Sequence, residues 1–82
     1  MLGDRRDRIE HEGPVTVWRQ LADDLAADVK AGRLARGSRL PRYTEIAESY
    51  GVSVDTVQRA MLALRKEGVV VVTVGRGTFV AK

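Results

Sequence analysis

The sequence predicts a mainly α fold with a small β-hairpin: three helices, then two strands, in one small domain. Three observations predict it. Apolar residues recur at helical spacing along Trp18, Leu21, Leu25 and Val29, and again along Val57, Ala60, Met61 and Leu64. A short helical segment between these stripes ends at Gly51, and Ser53 follows as a capping residue. After the last helix comes a β-branched run, a Gly-Arg-Gly turn and a second short strand. A chain of 82 residues has room for one modest core.

The elements follow in order. Residues 1–13 alternate in charge and are poor in apolar groups, so a flexible charged arm is expected there, with residues 14–82 forming the domain. Arg5, Arg6 and Arg8 either trail along a phosphate backbone or belong to a solvated tail neutralised by Asp4, Asp7, Glu10 and Glu12; the second is the expectation. The first helix runs from Pro14 to Ala31, with Ala22 and Ala26 beside its stripe and Asp23, Asp24, Asp28 and Lys30 on other faces. Proline suits a first turn, where its missing N–H would be unpaired anyway, and Gly32 closes the helix. Trp18 on an apolar stripe reads as core before it reads as a stacking platform.

Arg33 to Leu40 is a connector, and Leu40-Pro41 fixes extended backbone. The second helix covers Arg42 to Tyr50, with Ile46 and Ala47 inward. Val52 plugs the turn, Ser53 caps the third helix, and that helix runs from Val54 to Glu67. Asp55, Gln58, Arg59, Leu62 and Lys66 point away from its apolar stripe, and Gly68 ends it. Val69 to Val74 is a strand, Gly75-Arg76-Gly77 a turn with an arginine at its tip, and Thr78 to Ala81 the returning strand.

Composition excludes several functions. Without cysteine and with one histidine there is no disulfide, no thiolate nucleophile and no basis for a transition-metal centre. No cofactor is expected, and no enzyme: there is no Ser–His–acid set, and the glycines of the last turn have no following helix to cradle a phosphate. No apolar run approaches the ~20 residues that span a bilayer. No membrane partner is therefore expected. The charged start resembles no secretory signal, so the expected compartment is the cytoplasm. Fourteen Lys and Arg against eleven Asp and Glu permit nucleic-acid binding without establishing it, although eleven of the fourteen are arginine, whose fork suits phosphates and guanine edges.

Two short helices joined through a glycine turn, then a hairpin, make a winged helix-turn-helix. The geometric case for DNA is direct. A helix fits the major groove and its first turn aims side chains at base edges. A hairpin tip of small residues around Arg76 suits a narrow minor groove, where arginine is electrostatically favoured. RNA is a poorer fit, because Trp18, Tyr43, Tyr50 and Phe79 read as mostly structural rather than as stacking platforms.

From about Val15 to Val80 the chain resembles the DNA-binding domain of GntR-type bacterial transcription regulators. The resemblance rests on Ala31-Gly32-Arg33-Leu34, Gly37-Ser38-Arg39-Leu40-Pro41, Ile46-Ala47, Val52-Ser53, Thr56-Val57, Ala60, Leu64, Glu67-Gly68 and Gly75-Arg76-Gly77-Thr78-Phe79-Val80. Each word is short; their shared order and spacing carry the match. It implies a winged helix binding double-stranded operator DNA, usually as a homodimer and often as a repressor. The chain departs from the pattern where specificity is read. The second helix opens Arg42-Tyr43-Thr44, with Thr44 where an arginine is usual. The third opens Ser53-Val54-Asp55-Thr56-Val57-Gln58, with Val54 and Gln58 replacing two arginines, and Arg59 follows where the family often has Glu.

Arg42, Tyr43, Thr44, Ser53, Val54, Asp55, Thr56, Gln58 and Arg59, with Gly75, Arg76 and Gly77, form the expected DNA-binding set. Gln58 can pair two-pronged with adenine and Val54 can touch a thymine methyl, so a less guanine-centred operator is expected. Arg42 or Arg59 could supply a phosphate or guanine contact. Asp55 either accepts from a cytosine amino group or complements the positive end of its helix, and the second is the expectation. Leu62 projects outward, as scattered surface leucines do, or packs against a partner.

Regulators of this type carry a larger effector domain after the winged helix. Here the chain stops just past the wing, so no such domain and no small-molecule effector site is expected within it. A lone winged helix holds one half-site weakly unless paired on DNA, through the surroundings of Trp18, or by another protein. The competing reading is a winged helix used as a protein-interaction module, kept open by Leu62, Val54 and the lost arginines.

Overall fold

The computed structural model describes residues 2–82, so Met1 of the expected arm lies outside the described residues. Three helices, α1 (Val17–Lys30), α2 (Tyr43–Tyr50) and α3 (Val54–Lys66), precede an antiparallel hairpin of β1 (Val70–Thr73) and β2 (Gly77–Val80). The mainly α, winged helix-turn-helix expectation describes this arrangement. α1 begins three residues later than the sequence suggested. Pro14 lies outside it, and Thr16 is the cap, its Oγ1 accepting from the Arg19 N–H at 3.3 Å.

α2 closes at Gly51, whose φ of +65° lets the Val52 N–H reach back to the Ala47 carbonyl at 3.0 Å. This tight reversal aims α3 across α2. Ser53 then caps α3, its Oγ accepting from the Thr56 N–H at 3.2 Å. The core is one cluster drawn from every element: Leu21 and Leu25 from α1, Ile46 and Tyr50 from α2, Val57 and Leu64 from α3, Val70 and Val80 from the strands. Trp18 and Val52 are only half-buried at its margin.

The connector is more ordered than its composition suggests. The Gly37 and Leu40 N–H groups donate to the Val80 and Thr78 carbonyls, and the Val80 N–H donates to the Ser38 carbonyl, each at 2.8 Å. Residues 37–40 therefore line the edge of β2 that β1 leaves open, with Arg39 bridged to Phe79. Leu34 and Leu40 are buried and hold the connector down.

The first residues depart from the expectation of a flexible solvated arm. Ile9 is buried in the core, and the backbone N–H of Arg5 donates to the Ser49 carbonyl at 2.7 Å. The Arg5 guanidinium, only 9% exposed, reaches Asp28 at 2.5 Å, Tyr50 Oη at 2.9 Å and Asp24 at 3.2 Å. Arg8 also pairs with Asp24, and the Gln20 side chain both accepts from the Glu10 N–H and donates to its carbonyl, at 2.8 Å each. The physical reason is α1. Asp24 and Asp28, one turn apart, face inward toward Tyr50 and create a buried acidic site that needs a cation. Asp28, expected on an outer face, is 1% exposed and is also held by Arg33 at 2.9 Å.

Protonation follows this geometry. Burial works against the Asp28 carboxylate, but hydrogen bonds from Arg5 and Arg33 outweigh it and hold the carboxyl below its ordinary 3.8. Burial likewise opposes the charge of Arg5, yet Tyr50 and Asp28 raise its affinity for its proton. Burial and the bond to Asp24 push the Tyr50 phenol up. Among the described residues no buried side-chain polar atom lacks a partner, and no helix is long and apolar enough to cross a membrane.

Candidate nucleic-acid interface

The start of α2, the outer face of α3 and the hairpin meet at one shallow cleft, lined by Tyr43, Gln58, Met61, Leu62, Arg65 and Val72. Two features hold it together. β1 packs on α3 through Val70, which is 2% exposed. The Tyr43 hydroxyl lies 3.1 Å from the Thr78 hydroxyl of β2, joining the first turn of α2 to the hairpin. Tyr43 is thus half-buried and fixes the wing's position, a task its sequence position did not disclose.

The other expected site residues occupy distinct places. Arg42 and Thr44 are exposed at the first turn of α2, where the Arg42 backbone N–H donates to Glu45 at 3.3 Å. At the start of α3, Val54 and Asp55 are exposed. Ser53 and Thr56 face each other there, their hydroxyls 3.0 Å apart, so part of their polar capacity serves the cap. Gln58 and Arg59 are exposed on the next turn.

In the hairpin the Arg76 N–H donates to the Thr73 carbonyl at 3.0 Å, with Gly75 at φ +78°. That geometry requires a glycine in the third place of the turn. β1 ends at Thr73, one residue short of the expected strand, because Val74 is needed to make the turn. Val74 is 96% exposed and stands at the extremity, so the tip is not free of side chain. Gly77, at φ +117°, lies beneath the Arg39 guanidinium: a Cβ there would sit 3.0 Å from Arg39 Nε. Arg76 lies on the outer face of the hairpin beside Val71, Phe79 and Lys82, rather than in the cleft with Gln58.

Charge is segregated along the chain. Residues 1–30 carry five Lys and Arg against seven Asp and Glu; residues 31–82 carry nine against four. Every ion pair among the described residues uses Arg5, Arg6, Arg8, Arg19 or Arg33. Arg39, Arg42, Arg59, Arg65, Lys66 and Arg76 are exposed and make none, which leaves them available to an external anion. Arg5, one of the candidate backbone-trailing arginines, is committed to the buried network instead.

Comparison with known proteins agrees with this architecture. The chain is 36% identical over 74 residues to the HTH-type transcriptional repressor NagR of Bacillus subtilis, an alignment covering 90% of this chain and 30% of NagR. The chain spans less than a third of the curated relatives it matches. Among solved structures, YtrA from Sulfolobus acidocaldarius, a GntR-family transcription factor, superimposes with a TM-score of 0.83 at 32% identity, over 90% of this chain and 78% of YtrA. The DNA-binding domain of AraR, solved in complex with its operator ORR3, gives 0.79 at 25% identity, over 89% of this chain and 88% of that one. The bacterial regulatory proteins of the gntR family match residues 17–80, which include all three helices and both strands, and the chain belongs to that family as a DNA-binding transcription regulator domain.

Proposed function

We propose that the chain reads a specific operator in double-stranded DNA and represses the promoter that contains it. The first turns of α3 enter the major groove, where Gln58 pairs with adenine and Val54 meets a thymine methyl. Arg42, Thr44 and the exposed start of α2 hold the phosphate backbone. The hairpin lies along the adjacent minor groove, with Arg76 against its phosphates or floor. Ser53, Asp55, Thr56 and Tyr43 act mainly by orienting these contacts, and Gly75 and Gly77 by shaping the wing. The observation that carries the reading is the common cleft of Tyr43, Gln58 and Val72, which presents α2, α3 and the hairpin together. Likeness to a domain bound to its operator supports the duplex as partner, and likeness to a named repressor supports the direction of control.

Two copies on a near-palindromic site, acting in the cytoplasm, complete the proposal. Selection of bound duplexes from a random pool tests it. The expected product is a pair of inverted half-sites one or more helical turns apart, less guanine-rich than a site read by two arginines. Recovery of no enriched sequence, with binding equal on every duplex, would overturn base readout. A reporter whose expression rises when the chain is supplied would overturn repression.

A further inference from the structure

On the flank of α3 away from the hairpin, a second groove of about 430 Å³ runs between α3 and the start of α1. Its floor is apolar: Trp18 is half-buried, Ala63 sits beside it, and Leu62 is 53% exposed. Its rim is charged. Arg19 and Glu67 close one side as a pair at 2.7 Å, with the Arg19 guanidinium 5.6 Å from the centre of the Trp18 ring. Arg59 and Lys66 stand on the rim without an ion pair among the described residues.

We infer that this groove docks an acidic amphipathic helix of another protein, whose apolar anchors cover Leu62 and Trp18 and whose carboxylates meet Arg59 and Lys66. Helix-in-groove recognition needs an apolar floor and complementary charge at the edge, and both are present. The same rim argues against a second copy of this chain. Two such grooves facing each other would bring unpaired Arg59 and Lys66 against their mates, while Glu67 and Asp23, the nearby carboxylates, are already held by Arg19. Val54 and Gln58 lie one to two turns nearer the start of α3 and remain free, so the partner can sit beside a bound duplex. Leu62 stands on the ridge between the two surfaces and lines both, and Arg59 is a second side chain that both could claim.

Trp18 is the only tryptophan of the chain, so its fluorescence reports on the groove directly. The whole chain is titrated with a helical peptide of about 12 residues bearing leucines at i, i+4 and i+7 and glutamates elsewhere, and with the same peptide carrying lysine for glutamate. The expected result is a saturable change in Trp18 emission with the acidic peptide, weaker by about tenfold or more with the basic one. Leu62→Ser should weaken acidic-peptide binding by a similar factor, and Lys66→Glu should narrow the preference between the peptides. Val74→Ser, at the far end of the molecule, should change nothing. Equal binding of both peptides, no saturable response, or indifference to Leu62→Ser overturns the inference. So does a concentration-dependent dimer that Leu62→Ser abolishes, because it assigns the groove to a second copy.

Discussion

Replacing Arg5 by alanine takes a guanidinium out of a site where three groups depend on it. Asp28, 1% exposed, keeps only its 2.9 Å contact to Arg33, and Asp24 and Tyr50 lose a shared donor. Breaking a buried pair from one side costs about 3–5 kcal/mol, and the remaining Arg33 contact places this case near about 3 kcal/mol. A domain of this size holds only about 4–12 kcal/mol in all. At about 4–8 °C per kcal/mol, the melting temperature should drop by at least about 12 °C. Thermal melts followed by circular dichroism at neutral pH measure that drop, and urea unfolding measures the free energy behind it. Replacing both sides, as Arg5→Met with Asp28→Leu, should recover much of the loss, since an apolar pair leaves no stranded charge. A solvated arm predicts the opposite: Arg5→Ala would change stability by less than about 0.5 kcal/mol. That result would refute the docking of the N-terminal segment.

Acid should expose the same network. Because the Asp28 carboxyl is held below 3.8, the folded state binds its proton less readily than the unfolded chain. Its contribution is therefore complete above about pH 4 and fades as the pH falls toward its folded value, and urea midpoints at about pH 6 and pH 3 should differ more in the wild type than in Arg5→Ala. Arg76→Ala should weaken binding to all duplexes alike and flatten the salt dependence by about one unit, read by anisotropy across a salt series. Gln58→Ala should instead relax preference at one base pair, costing about 1–3 kcal/mol on the favoured site, and equal behaviour of these two variants would dissolve the division between phosphate and base contacts. Ser53→Ala removes the α3 cap and should cost about 1 kcal/mol in thermal unfolding.

Local signals were legible in the sequence because they act over a few residues. Ser53 three places before Thr56, Gly51 after Tyr50, and the stripe of Val57, Ala60, Met61 and Leu64 are each settled within one or two turns of backbone. The N-terminal segment was not legible for the opposite reason. Arg5 looks like part of a solvated charge run until α1 brings Asp28, 23 residues on, and α2 brings Tyr50, 45 residues on, to its guanidinium. Polar composition likewise hid the pairing of residues 37–40 with β2, since backbone groups make those bonds and side chains do not announce them. At the candidate site the elements that carry the expected residues were readable, but the mutual placement of those residues was not. Nothing in Tyr43 or Thr78 alone indicates that their hydroxyls meet, and Val74 became the turn's extremity only because Gly75 is the residue able to take the left-handed place.

The lopsided charge of the molecule acts before any contact forms. The carboxylates of the first thirty residues are largely held by their own arginines, whereas Arg39, Arg42, Arg59, Arg65, Lys66 and Arg76 face solvent without an ion pair among the described residues. A polyanion draws on those cations during approach, so that encounters are more frequent than diffusion alone provides. The association rate, and not only the lifetime of the complex, should therefore fall as added salt shortens the reach of that attraction.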